Sequence, residues 1–287
     1  MTELSINEIK ENIKKSYSYN IGFPVYTAAE LKKIYETFGI DPKSTDRRIF
    51  DLESLSHHSQ KEVERLFQLM KIQKEDYVLD VGCGNGAPSR LMAKLCGCRI
   101  KGVDLTPAQI AKAKECNQLE GVDDLIEVGV SDVHSLADEK EVFDKIFHNE
   151  TICHWDKKEK ALGKLSRILK KGGIMGFHDW LRGDKGDLNV ADGDFPGTYG
   201  EQVWFQNTLE ENMQFLQEAG FEVLHAEDLT DRIDRNLRAR LKELQISKVY
   251  RQAASEEYLQ KSLRYFRVMI ETNYKYLRYG RFVCVKD

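Results

Sequence analysis

Asp80 opens the run Asp80-Val-Gly-Cys-Gly-Asn-Gly86, in which Gly82, Gly84 and Gly86 fall at every second position behind the apolar stretch Tyr77 to Asp80. Glycines so spaced let the backbone turn tightly, adopt positive φ and approach a ligand with no Cβ in between. Two phosphate-binding chemistries are missing. No Gly-Lys-Ser or Gly-Lys-Thr follows Gly86, so the lysine and hydroxyl of a nucleoside triphosphate loop are absent. The glycines run Gly-x-Gly-x-Gly rather than Gly-x-Gly-x-x-Gly, and the Asp80 carboxylate ahead of them would repel a pyrophosphate. It suits a ligand that brings an ammonium group.

Two further acids extend the pattern. Asp104 closes the next apolar run, where a carboxylate accepts hydrogen bonds from both hydroxyls of a ribose, and Asp132 follows the run after that, placed to meet an adenine amino group. The backbone N–H of Val133 is then available to the adenine ring. Each acid alone reads equally as a turn or cap residue; the order of all three fits S-adenosylmethionine, whose methionine end carries the ammonium. Beyond them, His148-Asn-Glu-Thr-Ile-Cys-His-Trp155 and His178-Asp179-Trp180 gather polar and aromatic residues at the ends of two later apolar runs. His154 is a base suited to neutral pH, Glu150 an acid able to orient a cation, and His178 a wall residue of a substrate pocket. The alternatives are a packing or capping histidine and a glutamate salt-bridged to the amino-terminal helices.

The elements that must position these residues alternate from Tyr77 onward. Strands are expected at Tyr77 to Val81, Arg99 to Val103, Ile126 to Val130, Asp144 to His148 and Ile174 to His178, then Phe221 to Leu224 and Arg281 to Val285, with helices between most of them. Such alternation predicts an α/β fold with a parallel sheet covered on both faces. Helices precede it: one over 4 to 15, one opened by the capping box Thr27-Ala-Ala-Glu30 and ended by Gly39, and an amphipathic one from about Leu52 to Met70. The division is 1–75 as amino-terminal helices and lid, 76–226 with 280–287 as the ligand-binding domain, and 227–279 as a helical cap. In the cap Ile233, Leu237, Leu241 and Leu244 form one apolar face. The loop Arg182 to Gly200, rich in Gly and Asp, reads as a functional or mobile element flanking the pocket.

A chain of 287 residues with net charge −4 has no general attraction for polyanions. The start, Met1-Thr-Glu-Leu-Ser-Ile, lacks the features of a leader, and no run reaches the ~18 apolar residues of a membrane span, so a cytoplasmic location is expected. Six cysteines without a Cys-x-x-Cys pair suit a reducing compartment and no metal.

Asp80 to Gly86, Gly102-Val-Asp-Leu-Thr-Pro107, Ser131-Asp132 and Leu169-Lys-Lys-Gly-Gly173 resemble, in order, the motifs of class I S-adenosylmethionine-dependent methyltransferases. The resemblance covers about residues 60 to 180. It is strongest to the small-molecule branch, which includes sarcosine/dimethylglycine, phosphoethanolamine, tocopherol, cyclopropane-fatty-acid and geranyl-diphosphate methyltransferases. It implies a Rossmann-like seven-stranded sheet with an antiparallel last strand. It also implies S-adenosylmethionine as cofactor, with S-adenosylhomocysteine as product, held by Asp80, Gly82, Cys83, Gly84, Asn85, Gly86, Asp104, Leu105, Gln109, Ser131, Asp132 and Asn149. Tyr17 and Tyr26 fall on an aromatic segment that relatives use as a lid. His154 and Glu150 match residues placed at the methyl group in relatives. The motif Asn/Asp-Pro-Pro-Tyr/Phe is absent, which points away from nucleic-acid bases and toward a small acceptor. The expected acceptor is the nitrogen of an amino acid-like amine, its carboxylate met by one or two arginines of the cap (Arg232, Arg235, Arg238, Arg240, Arg278, Arg281). The alternatives are carbon or oxygen of an isoprenoid or phenol, and a non-catalytic regulatory protein that binds the cofactor; a homo-oligomer is left open.

Overall fold

The computed structural model describes residues 5–18, 27–46, 50, 53–54, 57–136, 140–191, 202–246 and 256–287. Tyr19, Tyr26 and residues 192–200 of the Gly- and Asp-rich loop lie outside them.

Seven strands form one sheet: β1 (Tyr77–Val81), β2 (Arg99–Asp104), β3 (Ile126–Val130), β4 (Phe143–Asn149), β5 (Leu169–Arg182), β6 (Phe221–Asp228) and β7 (Leu277–Lys286), in the order β3-β2-β1-β4-β5-β7-β6. β1 to β5 pair in parallel, and β7 runs antiparallel to both β5 and β6. This is the expected Rossmann-like architecture. The chain leaves β1 toward β2 and later re-enters on the other side at β4, so the carboxyl ends of these strands diverge there and leave a crevice.

One face of the sheet is covered by α3 (Gln60–Met70), α4 (Ala87–Cys96) and α5 (Pro107–Glu120), whose Leu66, Phe67, Leu91 and Ile110 meet Val78, Ile100 and Phe147. The other carries α6 (Lys158–Ile168) and α7 (Leu209–Glu218), with Leu165 and Leu216 against Leu79, Ile146 and Phe177. Met70 sits so close to β5 that a Cβ on Gly176 would lie 2.4 Å from its Cγ. Ahead of the sheet are α1 (Ile6–Ser18) and α2 (Ala28–Phe38); α2 has the full capping box, with Thr27 N–H on Glu30 Oε2 at 2.8 Å and Glu30 N–H on Thr27 Oγ1 at 3.2 Å. Between β6 and β7 lie α8 (Thr230–Ile246) and α9 (Glu256–Thr272). Ile233, Leu237 and Leu244 are buried against Leu263, Phe266 and Met269, with Leu241 partly buried beside them.

Three boundaries differ from the sequence expectation. β5 runs on to Arg182 because β7 starts at Leu277 and pairs with it residue by residue, Arg182 opposite Leu277. β6 continues to Asp228 on the same partner. The helix expected from Leu52 begins at Gln60, after Ser59 in extended conformation (φ −66°, ψ 162°). The two histidines before Ser59 are buried and make tertiary hydrogen bonds that a continuous helix would break.

Candidate active site

The crevice is a cavity holding, with its open mouth, about 1270 Å³ of free space. Its floor is the glycine loop. Gly82 and Cys83 donate their N–H groups to Val103 O at 2.7 and 3.0 Å, folding the loop back on β2. Gly82, Gly84 and Gly86 have φ of 74°, 54° and 81°, where side chains are strained. A Cβ on Gly82 would also lie 2.2 Å from Thr151 Cγ2. Asp80 lines the cavity, almost wholly buried, and accepts the Ser89 hydroxyl at 2.5 Å. Burial pushes its carboxyl up to about 7, opposed by Ser89 and reinforced by Asp104.

Asp104 accepts N–H groups from Gly84 at 2.9 Å and Thr106 at 2.8 Å, one on each carboxylate oxygen. Its orientation is therefore set by backbone, and each oxygen keeps a lone pair for a ligand hydroxyl. Asp132 is engaged differently. One oxygen takes Lys10 Nζ at 2.5 Å, and the other faces the N–H and Nδ1 of His134 at 2.9 and 3.0 Å. His134 and Lys10, against the effect of burial, hold its carboxyl well below the usual range. Lys10 belongs to α1, which lies across the cavity with Ile6, Ile9 and Ile13 turned into it. The Gln109 amide donates to Tyr17 O at 2.8 Å and ties the end of α1 to α5.

At the far end the carboxylate of Asp179 accepts the consecutive N–H groups of Thr151, Ile152 and Cys153 at 3.1, 2.5 and 3.2 Å. This winds the 3₁₀ turn Ile152–His154, and the turn presents His154 to the cavity. His154 Nε2 is 2.9 Å from the Tyr17 hydroxyl. Burial, with Lys158 nearby, pushes the imidazole down to about 4, and burial raises the Tyr17 phenol well above its usual value. Both are neutral near pH 7, and the imidazole tautomer sets which of the two donates in this contact. Trp155 and Trp180 complete the wall.

Glu150 sits between them at φ 57°, an uncommon conformation for a residue with a Cβ. Its carboxylate accepts His57 N–H at 2.8 Å and faces His57 Nδ1 at 2.9 Å and His58 Nδ1 at 2.8 Å. Burial alone would raise it; the two histidines outweigh that and hold it well below the ordinary glutamate range.

Of the residues singled out in the sequence, Asp80, Gly82, Cys83, Gly84, Asn85, Asp104, Leu105, Gln109, Ser131, Asp132, Val133, Asn149, Glu150, His154 and Tyr17 all line this cavity. Two do not stand where expected. His178 is fully buried behind the wall, its Nδ1 3.1 Å from Asn149 Oδ1 and its Nε2 accepting from Arg281, because Glu150 and Trp180 occupy the surface in front of it. Gly86 is the N-cap of α4, facing the Arg90 guanidinium. Tyr26 lies outside the described residues. The cap arginines are not on the cavity wall either. Arg232 and Arg281 pair with Glu62 and Glu227, Arg238 with Asp234, Arg278 with Asp184 and Asp228, and Arg240 lies over the Phe266 ring. Lys10, His57 and His58 were not singled out. An adjacent His-His pair within an otherwise amphipathic stretch was the available signal.

Gln109 Oε1, Thr151 Oγ1 and His154 Nδ1 are buried, belong to cavity-lining residues and have no partner among the described residues. Buried polar groups are otherwise hydrogen-bonded, so the wall is built for a polar ligand. Asp80, Asp104 and the β3-end residues Ser131 and Asp132, the acids and hydroxyl expected to meet a cofactor, share this one cavity. Among the described residues no cluster of His, Cys, Asp or Glu is arranged to hold a metal ion, and no helix is long and apolar enough to cross a membrane.

Residues 79–177 match the methyltransferase domain family. The sterol 24-C-methyltransferase of Saccharomyces cerevisiae is 33% identical over 166 residues, covering 57% of this chain and 43% of that protein. The sarcosine/dimethylglycine N-methyltransferase of Halorhodospira halochloris is 28% identical over 187 residues, covering 65% of this chain and 66% of the relative. The geranyl diphosphate C-methyltransferase of Streptomyces coelicolor, solved with Mg2+, geranyl diphosphate and S-adenosylhomocysteine, superposes with a TM-score of 0.66 at 15% identity, over 99% of this chain and all of that one. The chain thus spans about half or less of the length of the sterol relatives it matches. Fold, motifs and cavity define an S-adenosylmethionine-dependent methyltransferase domain, and the segment 79–177 belongs to that domain family.

Proposed function

We propose that this chain methylates a small apolar acceptor that becomes cationic as it is methylated, the carbon of an alkene before the nitrogen of an amine. S-adenosylmethionine supplies an electrophilic methyl group on a sulfonium with a neutral thioether as leaving group. The residues then have to place the acceptor, exclude water and answer the charge that develops. Glu150 carries the reading: a buried carboxylate on the acceptor wall, held ionised in a cavity also lined by Trp155 and Trp180, is suited to a transition state gaining positive charge. The Tyr17 hydroxyl, hydrogen-bonded to His154 Nε2, is the outlet for the proton that the methylated product loses.

The observation that favours carbon over an amino acid-like nitrogen is the distribution of cations. Among the described residues that line the cavity Lys10 is the one lysine or arginine, and it is paired with Asp132, while Arg232, Arg238, Arg240, Arg278 and Arg281 are committed to acids or a ring away from it. A substrate carboxylate would find no unpaired lysine or arginine on that wall among the described residues. Similarity to sterol 24-C-methyltransferases supports the same choice. The amine remains the second reading, favoured by the sarcosine/dimethylglycine relative, and Glu150 would serve an ammonium product equally.

An acceptor panel with methyl-labelled cofactor tests it, covering isoprenoid alkenes, sterols, phenols, glycine derivatives and ethanolamine phosphates. Label in an alkene product supports the reading. Label only in the amines replaces it with the second, and no transfer to any acceptor favours a protein that binds the cofactor without turnover.

A further inference from the structure

His57 and His58 touch Glu150 from 93 and 92 residues away in sequence, and neither is needed to build the sheet. Both are essentially inaccessible to solvent. Histidines rarely sit side by side in a core, since each brings two polar ring atoms that must be matched. Here the matching has a direction. His57 Nδ1 faces Glu150 Oε2 at 2.9 Å, while its Nε2 meets the hydroxyl of Tyr265 on cap helix α9. A single ring proton on Nδ1 satisfies both contacts: His57 donates to the carboxylate and accepts from the tyrosine. His58 Nδ1 lies 2.8 Å from Glu150 Oε1, and its ring stacks on His178 with centroids 4.0 Å apart and planes 11° from parallel. His178 Nε2 accepts from Arg281 Nε at 3.1 Å and its Nδ1 faces Asn149 Oδ1, so it too carries its proton on Nδ1. Parallel contact between two rings is favourable when they are neutral and repulsive when both are charged, and burial pushes His58 and His178 toward the neutral form.

We propose that His57 and His58 are positioning residues that clamp the Glu150 carboxylate in the acceptor wall, and that Tyr265 sets the ring proton of His57. This rests on the reading of Glu150 given above. Three donors, the backbone N–H of His57 and the two Nδ1–H groups, hold the carboxylate. So held, the carboxylate is fixed on the acceptor wall. Among the described residues, the other charged or titratable groups near this cluster are Arg281 with Glu62 and Glu227, Tyr279, His148, Cys153, His154 and Tyr17. The positive φ of Glu150 is maintained by the same contacts together with its N–H on His178 O at 2.8 Å. Because Tyr265 belongs to α9, the position of the cap is coupled to the charge at the acceptor through one imidazole.

The test uses the full chain with His57→Leu, His57→Asn and Tyr265→Phe, the asparagine keeping a donor where Nδ1 stands. Infrared difference spectra against Glu150→Gln report whether the Glu150 carboxyl is protonated, without any acceptor. At about pH 5, near the ordinary glutamate value, the parent and His57→Asn are expected to show ionised Glu150, and His57→Leu a carboxylic acid band. With whichever acceptor turns over, His57→Leu is expected to lower kcat by roughly 10–100-fold, the range of outer partners that orient a functional group, with the cofactor Kd unchanged and most of the loss recovered in His57→Asn. Tyr265→Phe is expected to give a smaller loss of the same kind. An ionised Glu150 in a folded His57→Leu overturns the proposal, as does a folded His57→Asn that recovers neither ionisation nor rate. If no acceptor is ever found, the reading of function falls while the infrared result still decides the clamp.

Discussion

The Tyr17 hydroxyl stands 2.9 Å from His154 Nε2, joining residues 137 apart in sequence across the mouth of the cavity. Tyr17 arrives on α1 and His154 on the turn that Asp179 winds, so the pair exists only when α1 is down. Tyr17→Phe keeps the ring and deletes the outlet. It is expected to lower kcat by about 100-fold, the lower end of what a general acid–base group contributes, and to leave the cofactor Kd within about threefold. For the parent, the imidazole is pushed down to about 4 by burial, so its basic form persists at every pH above that. A kcat profile at saturating cofactor should therefore show no acid limb from His154 until pH approaches 4; a limb near 6.5 would place His154 in water rather than in this site.

If Asp80 receives the cofactor's ammonium, as proposed, binding depends on pH. Burial raises its carboxyl to about 7, so an ammonium finds a full negative charge only above that value, while a ligand α-amino group loses its proton near about 8. Titration calorimetry is expected to give tightest S-adenosylhomocysteine binding between these two, falling on both sides. Asp80→Asn should weaken binding and erase the acid limb. In the ligand-free protein the sign is opposite: an acid whose folded value exceeds its unfolded one holds its proton better when folded, so this group's contribution to stability declines as pH rises from about 4 to about 7.

The acids and glycines of the cofactor end were legible because each is fixed by its own strand. Asp80, Asp104 and Asp132 close or follow β1, β2 and β3, and alternation of strands and helices is a local pattern. The acceptor end was legible only as a list. That His154 faces the cavity and His178 lies behind it depends on which of two neighbouring strand ends is covered by Glu150 and Trp180. His57 and His58 were read as part of a helix, since periodicity carries no information about a carboxylate more than 90 residues away. One or two of the arginines near the end of the chain were expected to meet a substrate carboxylate. Their commitment to Glu62, Glu227, Asp184, Asp228 and Asp234 is a property of packing.

Lys10 and Asp132 form the other fastening of α1, at 2.5 Å with 28% and 19% of their side chains exposed. Solvent screens a pair of that exposure, so its effect is small in energy and shows as a rate. Lys10→Ala is expected to speed S-adenosylhomocysteine release by about 2–5-fold, followed by tryptophan fluorescence in stopped flow. Release from the parent should quicken with added salt, and release from the variant should not. An equal salt response in both would mean that α1 is held by its apolar face and by contacts such as Gln109–Tyr17 and Tyr17–His154 rather than by the Lys10–Asp132 pair.

Glu150→Gln separates charge from shape. The amide fits the same space but leaves at least one of the two imidazole donors facing an NH2 group. If the carboxylate answers developing positive charge, kcat should fall by about 100–1000-fold, as when one preorganised group is removed from a transition-state site, with the cofactor Kd little changed. A loss confined to the acceptor KM would instead make Glu150 a binding group that acts before the methyl moves.

Arg90 bears on whether the amino-terminal segment stays attached to the domain. Its guanidinium, 1% exposed, pairs with Glu53 at 2.5 Å and Glu120 at 2.6 Å, and also donates to Asn85 O in the glycine loop. Glu53 is the anchor just ahead of His57 and His58, and burial raises it to about 7 even with Arg90 opposing. Arg90→Met would leave Glu53 without its guanidinium and Glu120 with Lys94 alone. The expected cost is about 3–5 kcal/mol, that of breaking a buried pair by removing one partner. Without the guanidinium Glu53 shifts further above its unfolded value, so the folded variant binds more protons than the unfolded chain between about pH 4 and the shifted value. Its stability should then fall as pH rises, and the gap from the parent in urea unfolding should be wider at about pH 8 than at about pH 5. A gap that does not change with pH would mean that lost packing around the side chain, rather than uncompensated charge, accounts for the destabilisation.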